Sequence, residues 1–253
     1  MKYKFVIKNI LVIFLLFSLI FSITGIELAE LIDNRDNPID IKSTISMEIK
    51  NKKGKVRTSS IKSISKNNAA KQILWFIEPA DDKGVAYLKI EHDNKDDEMR
   101  LWLPAFKRIR RISSKKKSES FMGSDMSYED MTSRKISDYK YTLLGEEKID
   151  SINCYILETI PLKKSEYSKH ITWVSTDSFL PFKEDSYDSN NRLLKNKLIN
   201  YTKIDDYFIA TKLNVKNIQK NHETTLRITD VIVDSNVKDD IFQEKNLKRI
   251  KYK

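Results

Sequence analysis

From Ser43 onward the chain alternates: Ile45, Met47 and Ile49 are interleaved with Thr44, Ser46, Glu48 and Lys50. That period of two marks a strand with one wet and one dry face. Lys71–Glu78 differs, because Ile73, Trp75 and Ile77 fall on one side and Leu74 and Phe76 on the other, so this strand is predicted to be buried on both faces. Val56–Ser65, rich in Ser, Thr and Lys, is expected to be weakly buried. Further strand candidates follow at Val85–Ile90, Met99–Leu103, Tyr139–Leu144, Cys154–Ile160, His170–Ser175, Phe182–Asp188, Leu193–Ile204, Tyr207–Gln219 and Thr224–Val233. Turn-forming residues such as Gly54, Gly84, Asn190–Asn191 and Asp205–Asp206 separate them. The Tyr139–Leu144 and Cys154–Ile160 strands are expected to pair across a Gly145–Asp150 turn. The expectation is about ten or eleven strands in a meandering antiparallel sheet, which must curl because twist accumulates with strand number.

Ile26–Asn34 breaks the alternation, with Ile26, Leu28, Leu31 and Ile32 at helical spacing and Asn37–Pro38 beyond as a stop. At the other end, Ile241 and Phe242 are placed to dock a short terminal turn. Residues 1–25 read as a signal peptide: Lys2, Lys4 and Lys8, the apolar run Ile10–Ile23, then Ser22, Thr24 and Gly25 as small residues for cleavage. The run is shorter than the roughly 20 residues a membrane span needs. A single domain, 26–253, is therefore expected in the periplasm after cleavage near Ile26. No Cys lies near the cut, so no lipid anchor is attached there. Cys154 is the one cysteine and sits in the apolar Ile152–Ile156 strand, which predicts a buried, inert thiol.

The formal net charge of +10 admits a basic face for nucleic acid or anionic lipid headgroups, although a solvated Lys-rich surface is the favoured reading. Export removes the chain from cytoplasmic nucleic acid, so no nucleic-acid partner is expected. No catalytic constellation is legible. His92, His170 and His222 stand apart in turn or strand contexts without metal-ligand spacing, suggesting surface or incidental roles. There is no phosphate loop or nucleophile elbow, and Asp125, Glu129 and Asp130 match no calcium loop. The chain is predicted to be no enzyme and to need no cofactor or metal.

Leu101–Met131 is the specialised stretch. Pro104 ends regular pairing, Lys107, Arg108, Arg110, Arg111 and Lys115–Lys117 form a basic run, and Phe121–Met122–Gly123 turns the chain before it becomes acidic. Ser127 and Asp130 fit a capping box. Two readings stand open. In one, Phe121, Met122 and Met126 are adaptable apolar contacts on a lid turned at Gly123, with Arg108, Arg110 and Arg111 on a cavity rim. In the other, Asp125, Glu129 and Asp130 pair with Arg108, Arg110 or Arg111 to pin a loop.

The signal segment, LWFIEPADDKGVAYLKI, LWLPAFKRIRRI, SFMGSDMSYEDM, YTLLGEE with CYILETIP, and the terminal IFQEKNL together resemble the outer-membrane lipoprotein-sorting protein family, relatives of the Lol periplasmic carriers, over about Glu27–Leu247. The resemblance implies an incomplete, unclosed antiparallel β-barrel, mainly β with a few helices. Its concave apolar face is covered by helices and loops and holds acyl chains. The candidate wall is Met47, Ile49, Ile73, Trp75, Ile77, Leu88, Ile90, Leu101, Leu103 and Trp173, for each of which plain core packing is an equal reading. The expected function is a monomeric, non-catalytic carrier that binds the acyl chains of lipoproteins or lipids and delivers them to the outer membrane. Its expected partner is an inner-membrane transporter of the resistance-nodulation-division or ABC type. The alternative is a module that docks on such a transporter and carries no lipid.

Overall fold

The computed structural model describes residues 23–250; most of the predicted leader lies outside them. Its strands are β1 Asp40–Lys50, β2 Val56–Lys66, β3 Lys71–Glu78, β4 Ala86–Ile90, β5 Glu98–Leu103, β6 Arg108–Arg111, β7 Tyr139–Ile149, β8 Ile152–Pro161, β9 Tyr167–Ser175, β10 Pro181–Asp188, β11 Leu193–Ile204, β12 Tyr207–Asn217 and β13 His222–Val233. They form one 13-stranded antiparallel sheet ordered β6-β5-β4-β3-β2-β1-β13-β12-β11-β10-β9-β8-β7. Each neighbour but one follows in sequence. The exception is β1 against β13, where the two ends of the chain meet in the middle of the sheet. The sheet is not closed: β6 and β7 are its two edges.

The strand count exceeds the expected ten or eleven, and part of the excess is β6, made of the basic run Arg108–Arg111. Alternation is hard to see in a stretch of Arg-Ile-Arg-Arg, and such charge suits an edge exposed to solvent. A second difference lies in β2. Ser59, Ser63 and Ser65 are buried beside Ile61 and Ile64, because β2 lies inside the sheet and small hydroxyls fit under covering segments. A third is Gly145, which lies within β7 opposite Ile156, next to a bulge at Leu144, rather than in a turn. With φ of +143° it takes a conformation side chains resist, and the actual turn is Asp150–Ser151.

The α-helix of the described residues, α1 (Gly25–Asp33), begins with the Thr24 side chain accepting from the Glu27 N–H at 3.3 Å while Glu27 accepts from the Thr24 N–H at 2.8 Å. This is a capping box. Gly25 is pressed against β7 so closely that a Cβ there would lie 2.8 Å from the Thr142 nitrogen. Leu28 and Ala29 then pack on Leu157 and Val174. Thr24 and Gly25 thus belong to the folded domain, and a cut before Ile26 would remove the cap.

Register sorts the side chains into two faces. Ile45, Ile61 and Phe76 lie in line across β1, β2 and β3, as do Leu74, Tyr87 and Leu101 across β3, β4 and β5. This inner face also receives α1. The other face carries Ile73, Trp75, Ala86 and Leu88, which are covered by Val237, Phe242 and Leu247 of the C-terminal tail, with the Trp75 indole donating to the Asn246 carbonyl at 3.0 Å. The predicted docking of Ile241 and Phe242 is therefore present. Both faces of β3 are buried, as its sequence demanded.

Candidate functional site

Because β6 and β7 are opposite edges, the segment joining them, residues 112–138, must cross a face of the sheet. It crosses the inner one. Residues 120–127 form a small hairpin: Phe121 N–H donates to the Met126 carbonyl at 2.7 Å, and Met122 and Gly123 take positive φ of 51° and 79°. That turn aims Phe121 and, beyond it, Tyr128 at the sheet. Phe121 meets Tyr87 edge-on at 5.3 Å, Tyr128 edge-on at 5.8 Å and Phe76 at 6.2 Å between ring centroids. Around them Met47, Ile49, Ile61, Leu74, Met99, Leu101 and Ile112 complete a buried cluster, with Met122 and Met131 against its edge. Aromatic edges on faces add about 0.5–1.5 kcal/mol per pair beyond burial.

The Tyr87 hydroxyl is buried in this cluster with no hydrogen-bond partner among the described residues, and burial pushes its pKa up. An unpaired buried hydroxyl costs about 1–3 kcal/mol. It points to a wall whose polar needs the lid does not meet.

The lid's polar residues are held differently. Asp125 accepts from the Thr224 hydroxyl at 2.7 Å and lies 2.8 Å from His222 Nδ1. Glu129 accepts from the Ser165 hydroxyl and the Glu166 N–H. Asp130 accepts from the Tyr167 hydroxyl at 2.8 Å and from Lys195 at 2.9 Å, and Lys195 also donates to the Tyr167 oxygen at 2.6 Å. The buried Lys89 ammonium donates to the Met131 carbonyl at 2.6 Å. Arg134 grips both oxygens of Glu184, at 2.5 and 2.9 Å, while Lys197 donates to Glu184 at 2.9 Å. His170 sits beneath, 2.8 Å from the Ser186 hydroxyl and 3.3 Å from Arg134.

These groups shift as their surroundings require. Burial alone would raise the Asp130 and Glu184 carboxyls, but for Asp130 the Lys195 and Lys197 charges prevail and bring it down to about 2. Arg134 and Lys197 hold Glu184 well below the usual carboxylate range. Burial, reinforced by Arg134, lowers His170 to about 3, so it is neutral at ordinary pH.

The predicted site residues distribute as follows. Phe121 and Met126 are buried and Met122 half-buried; the Ser127–Asp130 box is present, with Ser127 N–H donating at 2.8 Å, on a turn rather than a helix. Of the ten wall residues only Met47, Ile49, Leu101 and Leu103 lie on the lid side. Ile73, Trp75, Leu88 and Ile90 belong to the opposite cluster, Ile77 shares their side by alternation, and Trp173 packs on Cys154 and Ile171 elsewhere. The expected pinning of Asp125, Glu129 and Asp130 by arginines is replaced by the partners above. Arg110 pairs instead with Glu119, and Arg108 and Arg111 are exposed on β6. Cys154 is buried. His170 is 1% exposed, against the expected incidental placement. Arg134, Lys195, Lys197 and Glu184 were not legible as a site, since they come from three separate segments and each looks like solvated charge. Among the described residues no group of His, Cys, Asp and Glu could hold a metal ion.

Two clefts border the lid. One, about 560 Å³, is lined by many charged residues, among them Lys115, Lys117, Lys135, Lys163, Lys164 and Glu166. The other, about 280 Å³, runs between α1 and the lid's end, with Ala29, Ile32, Ile136, Tyr141 and Leu157 above Arg134 and Glu184.

The unclosed antiparallel sheet, with a helix and a lid on one face, is the fold that the resemblance implied, and the comparisons agree. A proposed outer membrane lipoprotein-sorting protein domain from Vibrio parahaemolyticus superposes with a TM-score of 0.84 at 33% identity, covering 89% of this chain and 98% of that one. A DUF1329 family protein from Desulfovibrio piger gives 0.83 at 34% identity over 88% of this chain and 97% of that one. A LolA superfamily protein from Nitrosomonas europaea shares the fold, with a TM-score of 0.71 at 22% identity over 88% of this chain and 99% of that one. A family model described as "uncharacterized protein" matches residues 68–249. A comparison with curated proteins gives no match. The chain belongs to the outer membrane lipoprotein-sorting protein family that includes DUF1329 proteins; no catalytic family is indicated.

Proposed function

We propose that this protein is a non-catalytic periplasmic carrier that shelters the acyl chains of a lipoprotein or lipid against the inner face of β1–β5 and delivers them to the outer membrane, taking its cargo from an inner-membrane transporter. The observation that carries the reading is the lid: Phe121 and Tyr128 occupy an apolar wall on a segment that only bridges the sheet edges. The chain's family supports it, since the relative from Vibrio is described as a lipoprotein-sorting domain.

The energetics favour exchange. Each aromatic side chain contributes about 1.5–3 kcal/mol by burial, whereas an acyl chain gains about 0.8 kcal/mol per buried CH₂. A chain of about a dozen methylenes outweighs both rings together. The unpaired Tyr87 hydroxyl would also gain an acceptor from an acyl ester carbonyl. The test is titration of the delipidated protein with a fluorescent fatty acid. Saturable binding is expected, several-fold tighter in Phe121→Ala, where the competing ring is gone. Trp75→Ala, on the opposite face, should leave it unchanged. Absence of saturable binding in both wild type and Phe121→Ala would end the carrier reading.

A further inference from the structure

We propose that the β5–β6 hairpin tip, with the neighbouring β1–β2 and β3–β4 turns, is a docking surface for an anionic phospholipid bilayer, in which Phe106 inserts among the acyl chains while lysines meet the phosphates. The inference rests on the carrier reading only in giving the membrane contact a purpose.

Phe106 is 67% exposed. It stands at the end of a short 3₁₀ turn begun by Pro104 and closed by Lys107, whose φ is +48°, and the Arg108 guanidinium lies 5.4 Å from its ring centre. An aromatic ring held out in water on a proline-stiffened turn contributes nothing to the fold. Its neighbours decide what it suits. In this meander the β1–β2, β3–β4 and β5–β6 turns lie at the same end of adjacent strands. They touch: a Cβ at Gly84 would stand 3.3 Å from Pro104 Cγ, and Arg57 at the start of β2 binds Asp82 of the β3–β4 turn. Lys52, Lys53 and Lys55 on the first turn, Lys83 on the second and Lys107 on the third are all exposed and make no ion pair among the described residues. Asp82 is neutralised by Arg57, leaving Asp81 on the second turn and Glu78 at the end of β3 as exposed acids against these five lysines. Val56, 47% exposed, adds a second apolar group beside the first turn.

An exposed ring ringed by flexible ammonium groups matches a bilayer interface, where the apolar body enters and the charges stay with headgroups. An acidic protein would use the charges but leave the ring without a partner. Each lysine near an anionic leaflet contributes about 1 kcal/mol, and the attraction decays within a Debye length of about 8 Å at physiological salt.

The experiment is co-flotation of the whole protein with vesicles of phosphatidylcholine alone or with about a quarter phosphatidylglycerol, in low and high salt. Binding is expected to the anionic vesicles only, lost at high salt, and weakened at least about tenfold by Phe106→Asp and by the triple change Lys52→Glu, Lys53→Glu and Lys55→Glu. A second readout places the ring itself: Phe106→Cys carries an environment-sensitive fluorophore, the native Cys154 being buried, and its emission should shift to the blue on anionic vesicles. Wild-type protein that ignores anionic vesicles at low salt, or Phe106→Asp that binds them as well as wild type, overturns the proposal. Fatty-acid binding measured on the same Phe106→Asp sample separates this failure from failure of the carrier reading.

Discussion

Two sets of lid residues are held to one sheet by opposite physics. Phe121 and Tyr128 sit in a cluster of Met, Ile, Leu and aromatic side chains on β1–β5, whereas Asp125, Asp130 and Arg134 are fixed by named partners on β9, β10, β11 and β13. Apolar contact is non-directional and scales with area, so any chain of adequate length can replace it. A buried ion pair is satisfied by one geometry, and removing one partner strands the other. On the proposed function, the lid is accordingly an exchangeable plug on a specific clasp.

The largest effect should come from breaking the clasp. Glu184→Leu leaves Arg134 and Lys197 without their carboxylate and should destabilise the protein by about 3–5 kcal/mol, read as a lower midpoint in denaturant. Glu184→Gln, which keeps some hydrogen bonds, should cost less. In the plug, Phe121→Ala should lose about 2 kcal/mol, below the range for a sealed core phenylalanine, while improving acyl binding. Equal losses of stability and of acyl binding in Phe121→Ala would make the plug ordinary core and erase the contrast.

Acid should act on the clasp and spare the plug. His170 is lowered to about 3 in the fold, so below pH about 6.5 the unfolded chain takes up a proton that the folded one refuses, and stability falls with falling pH. Asp130, at about 2 when folded, adds a loss that begins near pH 4 and continues as pH falls to that value. His170→Asn should flatten the stability curve between about pH 6.5 and 4; an unchanged slope would show that another group governs it. The smallest effect is Thr24→Ala, which removes the α1 cap and should cost about 1 kcal/mol in thermal stability.

Much of the sheet was legible because alternation is a local signal: Ile45, Met47 and Ile49 declared their face in five residues, and β3 its double burial in eight. Which face was inner was not legible, since it depends on where the 112–138 connection crosses, and Trp75 reads as well for a cavity as for the tail that covers it. Phe121, Gly123 and the Ser127–Asp130 box could be picked out because turn and capping chemistry are local too. Of the clasp, Asp125, Glu129 and Asp130 could be picked out as pinning groups, but their partners and the Arg134–Glu184 pair could not. Lys195 and Lys197 look like a wet strand face until β10 and the lid bring Glu184 and Asp130 over them.

The central claim is that acyl chain and lid aromatics compete for one wall. Amide hydrogen exchange, with and without a saturating fatty acid, tests it most directly. Faster exchange is expected on loading at Phe121, whose N–H is bonded to Met126 within the lid hairpin, and at Tyr128, with protection of β3 and β4 unchanged. Unchanged or slower exchange across residues 119–131 in the loaded protein would contradict it.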